Sequence, residues 1–193
     1  MSIAVAVRKN GIIALGSDSQ TSFGSLRMSP DNHVARKIRK IGMSYLASTG
    51  WGLYENILSD FLSRKKTPPL TNSESIFSFF MLLWKNLHEA YPFVNDQSEE
   101  EDSSPFGDLD ASFLVVNKNG IFYVGSDMSV TRFERYFAIG SGCDYGLGAL
   151  FALYDQEPDA QILCRKAVEA GIAFNDRCGG PIEIVTIKEA PHA

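Results

Sequence analysis

The tripeptide Lys-Asn-Gly occurs twice, at 9–11 and at 118–120, and each time it separates two short runs rich in β-branched and apolar residues. Asn-Gly is a strong hairpin signal, because both residues tolerate the positive φ that a tight turn between twisted strands demands. The pattern predicts one hairpin from Ile3 to Arg8 and Ile12 to Ser17, and a second from Ala111 to Asn117 and Ile121 to Val124. Two hairpins so far apart in the chain imply two sheets or two halves of one.

Helical periodicity fills the gap between them. Leu53, Tyr54, Ile57, Leu58, Phe61 and Leu62 recur at steps of three and four and so share one helix face, with Pro68-Pro69 following. Thr71-Asn72-Ser73-Glu74 reads as a capping box, and the stripe Ile76, Phe77, Phe80, Leu83, Trp84, Leu87 predicts a second helix that Pro92 ends. Past the second hairpin the sequence predicts a strand over Arg132 to Ile139, helices over Asp144 to Tyr154 and Asp159 to Phe174, and a last strand over Ile182 to Ile187. Strands, two helices, strands, two helices, strand is the order expected of a four-layer αββα sandwich, an α/β arrangement of two stacked, mainly antiparallel sheets flanked by helix pairs. A doubly wound fold alternates strand and helix and does not fit.

No repeat or linker divides the 193 residues, so one domain spanning 1–193 is expected. Asn95 to Pro105, which holds Glu99-Glu100-Glu101-Asp102 among serines, reads as an acidic, solvated loop inserted into it. A guard or docking loop at a pore mouth is the sharper reading of the same segment. With 18 Lys and Arg against 23 Asp and Glu, the net charge of -5 argues against a nucleic-acid partner. Cys143, Cys164 and Cys178 are too few and wrongly spaced for a disulfide framework or a metal site, so no metal and no cofactor is expected. The longest apolar run, Phe79 to Trp84, is too short to span a bilayer, and the start lacks signal-peptide character. A cytoplasmic protein with no membrane partner is expected.

Ser2 follows the initiator and is small enough for the usual aminopeptidase to remove Met1. Alone, a Met-Ser start says little. At the head of a buried strand, however, an N-terminal hydroxyl residue carries its own general base, since an α-amine titrates near pH 8. Such a nucleophile needs a cation nearby, a carboxylate to hold that cation, and backbone donors for an oxyanion. Asp18, just after the second strand, returns beside Ser2 by hairpin geometry. Lys37 lies in Arg36-Lys37-Ile38-Arg39-Lys40-Ile41, whose alternation puts Lys37 and Arg39 on one face. Ser48-Thr49-Gly50 ends the next strand and offers backbone N–H groups. Taken singly, Asp18 also reads as a turn residue and Lys37 as a solvated charge.

As a set, these segments resemble the proteasome β-subunit family of N-terminal-nucleophile hydrolases, and within it the bacterial HslV-type peptidases that pair with a ring unfoldase. The similar residues are Val5 to Gly11, Gly16-Ser17-Asp18-Ser19-Gln20-Thr21, Phe23-Gly24, Lys37-Ile38, Leu46 to Gly50, and Ala138-Ile139-Gly140-Ser141-Gly142. The resemblance implies Ser2 as nucleophile in place of the family's threonine, with Asp18, Lys37 and Ser141 as its catalytic partners. It implies an oxyanion hole at Ser48, Thr49 and Gly50, Ser48 standing where the family has glycine. It places Thr21, Leu46 and Gly50 against the substrate, in a modest apolar pocket. It also implies stacked homo-oligomeric rings, unfolded polypeptide as substrate, and an ATP-dependent unfoldase partner.

Two departures bear on activity. Where many relatives carry Asp-x-x-Ser-Gly-Gly, this chain has Asn175-Asp176-Arg177-Cys178-Gly179-Gly180. Asn175 and Cys178 then support the site without the aspartate's charge or the serine's hydroxyl, while Asp176 is one place out of register. Serine for threonine also removes the methyl group that restrains χ1. Besides a self-compartmentalising peptidase, two alternatives follow: a catalytically silent ring subunit or scaffold, and a small-molecule amidase on the same fold.

Overall fold

A computed structural model describes residues 2–29, 31–33, 36–91, 109 and 111–190. Met1, Pro92 and the acidic segment Asn95 to Pro105 lie outside the described residues.

The first sheet is built from β1 (Ala4–Lys9), β2 (Ile12–Ser17), β10 (Tyr136–Ile139) and β11 (Glu183–Lys188), in the order β10-β1-β2-β11. The second takes β5 (Ile38–Ile41), β6 (Ser44–Gly50), β7 (Ala111–Asn117), β8 (Gly120–Val124) and β9 (Val130–Phe133) in sequence order. Every pairing is antiparallel. Helices α1 (Leu53–Arg64) and α2 (Ser73–Ala90) cover the second sheet, and α3 (Cys143–Leu153) and α4 (Ala160–Phe174) cover the first. A small hairpin, β3 (Ser22–Phe23) with β4 (Leu26–Arg27), projects beyond β2 and carries no apolar signal that the sequence reading registered.

Strand alternation divides the apolar residues among three cores. Along β1, Val5 and Val7 join Ile3 against α3 and α4, while Ala4 and Ala6 face the second sheet. Along β7, Phe113 and Val115 pack under α1 and α2, and Leu114 and Val116 fill the space between the sheets. This is the four-layer αββα sandwich expected from the order of elements.

Four local readings need correction. The capping box of α2 is shifted by one residue: Asn72 Oδ1 accepts from Ser75 N at 2.9 Å, and Asn72 N donates to Ser75 Oγ at 3.1 Å. The buried stripe of α2 uses Phe79, while Phe77 is 47% exposed. The strand predicted over Arg132 to Ile139 is broken at Glu134-Arg135, and its halves belong to different sheets, β9 pairing with β8 and β10 with β1. Finally, the two Lys-Asn-Gly tripeptides make different turns. In the first, Asn10 and Gly11 form the loop with φ of 50° and 73°. In the second, Lys118 and Asn119 form it, Gly120 enters β8, and Asn117 Oδ1 accepts from Asn119 N at 2.7 Å.

Candidate active site

The pairing of Ala4 with Ser17 carries the chain out of β2 directly beside the head of β1, and Asp18 emerges under Ser2. Asp18 is 1% exposed, and its carboxylate collects four donors. One oxygen, Oδ1, takes the Ile3 amide at 3.0 Å and the Lys37 ammonium at 2.7 Å. The other, Oδ2, takes the amides of Gln20 at 3.2 Å and Gly179 at 3.0 Å. Four donors match the lone-pair sites a carboxylate offers, so the group is saturated and fixed. Burial draws the Lys37 ammonium below its ordinary pKa, and the Asp18 charge and hydrogen bond oppose that shift. The structure thus brings together Ser2, Asp18 and Lys37, with Lys37 reaching Asp18 from just before β5.

Ser2 is 5% exposed and is held from its other side by the turn after β10. Gly140 there has φ of 91°, and a Cβ on it would lie 2.2 Å from the Ser2 carbonyl oxygen and 3.0 Å from Thr49 Cγ2. Only glycine permits that approach. Ser141 Oγ lies 3.5 Å from the same carbonyl and 3.2 Å from Asn175 Oδ1, and the Gly142 amide donates to the Ser2 carbonyl at 3.4 Å. Ser141 therefore reaches the main chain of Ser2 through its carbonyl. Asn175 closes the loop by donating from Nδ2 to the Ser141 carbonyl at 2.8 Å.

Cys178 Sγ lies 3.6 Å from Asn175 Oδ1 and 3.9 Å from Ser141 Oγ. Burial, with the Asp18 charge adding to it, pushes this thiol up to about 11, against the opposing pull of the Ser141 hydroxyl and Lys37. It is a protonated, weak donor at neutral pH and no nucleophile. Cys164, wholly buried under β1, is pushed up to about 12 by burial.

On the remaining side, β6 presents Ser48, Thr49 and Gly50. The Ser48 amide donates to the Lys37 carbonyl at 3.3 Å, continuing the β5 ladder by one residue. Ladder alternation turns the Thr49 amide toward β7, where Thr49 is paired with Ser112, and turns the Gly50 amide to the β5 side of β6. The Ser48 hydroxyl bonds the Glu55 carboxylate, which also takes Arg39 Nη2 at 3.3 Å, and Arg39 reaches Ser59 Oγ at 2.7 Å. The sequence reading missed this network. Its one signal was an acidic residue in the first turn of the helix that follows Ser48.

One expected substrate contact, Leu46, is placed differently, and so is the supporting residue Asp176. Leu46 is fully buried in the core beneath α1 and α2 and presents no surface to a ligand, because even-numbered positions of β6 alternate with those facing the other sheet. Asp176 is exposed, and its carbonyl accepts from Gln20 Nε2 at 3.0 Å. Thr21 stands half-buried where β3 begins, its carbonyl accepting from the Met28 amide at 3.0 Å.

No family model matches the chain. Among solved structures, Thiobacillus denitrificans BPH, determined alone and in complex with epoxomicin, is 30% identical with a TM-score of 0.88, covering 98% of this chain and 100% of that one. The chain belongs to the HslV-like proteasome β-subunit family. Among curated proteins, the ATP-dependent protease subunit HslV of Hyphomonas neptunium is 28% identical over 191 residues, covering 95% of this chain and 91% of that one. The same-named subunit of Bartonella quintana is 26% identical over 166 residues, covering 86% and 78%. Eukaryotic HslV from Trypanosoma brucei, 19% identical with a TM-score of 0.68 over 97% of this chain and 99% of that one, shares the fold. As an HslV-like chain, the protein is an N-terminal-nucleophile peptidase, a hydrolase. No helix among the described residues is long and apolar enough to cross a membrane.

Proposed function

We propose that this peptidase acts through Ser2, exposed by removal of Met1, and that it works as a subunit of stacked rings which cleave unfolded polypeptide inside their chamber. The observation that carries the reading is the Asp18 carboxylate, one oxygen of which holds both the Ile3 amide and the Lys37 ammonium. A cation is thereby fixed beside the residue whose hydroxyl must be activated.

In this reading Ser2 Oγ attacks the peptide carbonyl while its own α-amine takes the hydroxyl proton. The same proton passes to the departing amine as the C–N bond breaks, leaving an ester on Ser2. Water, deprotonated by the amine, then releases the acyl fragment. Lys37 favours the developing alkoxide, and Asp18 keeps Lys37 in place. For the oxyanion, the Gly50 amide lies on the β5 side of β6, past the Ser48–Lys37 bond. The Ser48 amide is held only by a bond at the long end of the normal range, and a charged acceptor bonds about twice as strongly as a neutral one. The tetrahedral intermediate would therefore draw that amide away from the Lys37 carbonyl.

The engaged Ser48 amide and the uncharged Asn175 and Cys178 favour a second reading, a silent ring subunit that scaffolds active partners. A small-molecule amidase differs from both in needing no chamber. A native mass spectrum separates the three. Multi-subunit rings of chains lacking Met1 support the peptidase, rings retaining Met1 support the scaffold, and a small oligomer lacking Met1 supports the amidase. An ATP-dependent unfoldase as partner is tested by adding one with ATP and measuring turnover of an unfolded protein. Ser2→Ala is expected to abolish turnover while leaving assembly intact.

A further inference from the structure

A cavity of about 390 Å³ opens between the β3–β4 hairpin and the Gly179-Gly180 turn, lined by Ser19, Gln20, Arg27, Met28, Ser29 and Gly180. It sits across Asp18 from Lys37, because Asp18 Oδ2 takes the amides of Gln20 and Gly179 whereas Oδ1 takes Lys37. Three polar groups around it find no partner among the described residues. Arg27 forms no ion pair among the described residues, and its guanidinium comes close to Gly179, where a Cβ would stand 2.1 Å from Nη2. Gln20 is 5% exposed; its Nε2 donates to Ser22 Oγ at 3.1 Å and to the Asp176 carbonyl at 3.0 Å, which fixes the amide with Oε1 buried and unpaired. Ser19 Oγ is likewise buried and unpaired, aimed at Gly180, where a Cβ would lie 2.6 Å from it. Buried polar atoms are ordinarily hydrogen-bonded, and unpaired ones grouped around a cavity mark places for a ligand to supply the missing half.

The chemistry of the three is complementary to one small unit. A guanidinium calls for an anion, and its fork suits a carboxylate. A hydroxyl donates to the same anion, and an unpaired amide oxygen calls for an N–H. The C-terminal residue of a peptide carries a carboxylate and a backbone N–H within one residue. We propose that this cavity binds the free C-terminal residue of a peptide, its carboxylate on Arg27 and Ser19 Oγ and its amide N–H on Gln20 Oε1. The proposal rests on the peptidase reading for its purpose, holding the end of a short substrate or product beside the nucleophile, but its binding is measurable without turnover.

The test is fluorescence anisotropy on assembled Ser2→Ala protein, using an N-terminally labelled pentapeptide as the free acid, as the C-terminal amide, and as an amide with glutamate at its penultimate position. The free acid is expected to bind about 10-fold more tightly than either amide, the scale of one charge-assisted hydrogen bond. Arg27→Gln, a change at an exposed side chain, is expected to bring the acid down to the amide, and Arg27→Lys to restore part of the difference. Equal binding of acid and amide, a preference that survives Arg27→Gln, or binding of the glutamate peptide as tightly as the acid would each overturn the proposal. Turnover of the same peptides by protein with Ser2 intact reports separately on the peptidase reading. Absence of any cleavage there, with the anisotropy contrast present, would contradict that reading and leave the cavity's ligand established.

Discussion

The two flanks of Ser2 are built on different physics. On one, a buried carboxylate and a largely buried ammonium stand 2.7 Å apart, and every remaining lone pair of Asp18 is taken by a backbone amide. On the other, Ser141, Asn175 and Cys178 form a neutral chain of hydrogen bonds, two of them weak contacts to sulfur. A charge pair out of water is costly to break from one side only, whereas a neutral network loses single bonds. The flank that carries charge is the one the proposed mechanism needs fixed, and the neutral flank is where this chain departs from the aspartate and serine that the resemblance led us to expect. The functional load is therefore expected to rest on Asp18 and Lys37.

The largest effect should follow Asp18→Asn, which leaves Lys37 buried without its counter-charge. Stability measured by urea unfolding is expected to drop by about 3 kcal/mol, and peptide turnover by about 100-fold or more. Adding Lys37→Met to that variant should restore most of the stability and none of the turnover. Recovery of turnover in the pair variant would erase the distinction between the flanks. Next in size is Asn175→Asp, tested as a way to charge the neutral flank. It removes the donor to the Ser141 carbonyl and sets a carboxylate against it, so a cost of about 1–2 kcal/mol is expected at neutral pH, with turnover changing less than for Asp18→Asn. A rise in turnover to the level of a large activation would show that the neutral flank is what limits the enzyme.

A smaller change is expected from Ser48→Gly, which frees the Glu55 carboxylate from β6 and leaves it paired with Arg39 alone. Partly exposed groups of this kind contribute on the order of 1 kcal/mol or less, and the expected readout is a shift in KM with kcat held. The smallest concerns Cys178. Its folded-state thiol is raised from 9.0 to about 11, so the protonated form is favoured in the fold. The resulting stability is fully present below about pH 9 and is lost as pH rises through about 11. Iodoacetamide mapping at pH 8 should leave Cys178 unmodified, with reaction appearing only toward pH 11. Rapid labelling of Cys178 at pH 8 would mean a thiolate in the site and a neutral flank that is not neutral.

What the sequence disclosed depended on whether a feature is local. The first hairpin and the course of Asp18 back to Ser2 follow from a two-residue turn and strand register, both written in the order of residues. The layer order followed from periodicity alone. The second Lys-Asn-Gly turn shows the limit: the same tripeptide shifts by one residue because Asn117 caps the turn with its own side chain, and its amide donates to the Leu70 carbonyl at 2.7 Å, far away in sequence. The break at Glu134-Arg135 was hidden for a similar reason, since apolar residues continue on both sides while the chain changes sheets. In the site, Ser2, Asp18 and Lys37 were legible as a pattern. The bond from Ser48 to Glu55, the burial of Leu46 and the cavity around Arg27 were not, because each depends on how α1 and the β3–β4 hairpin pack against β6 and the Gly179-Gly180 turn.

The most direct test of Ser2 as the nucleophile is covalent labelling with a β-lactone or peptide epoxyketone, followed by intact mass and peptide mapping. One adduct per chain, on a chain lacking Met1 and located at Ser2, and its loss in Ser2→Ala are the expected results. An adduct on any other residue, or one that persists in Ser2→Ala, would contradict the mechanism.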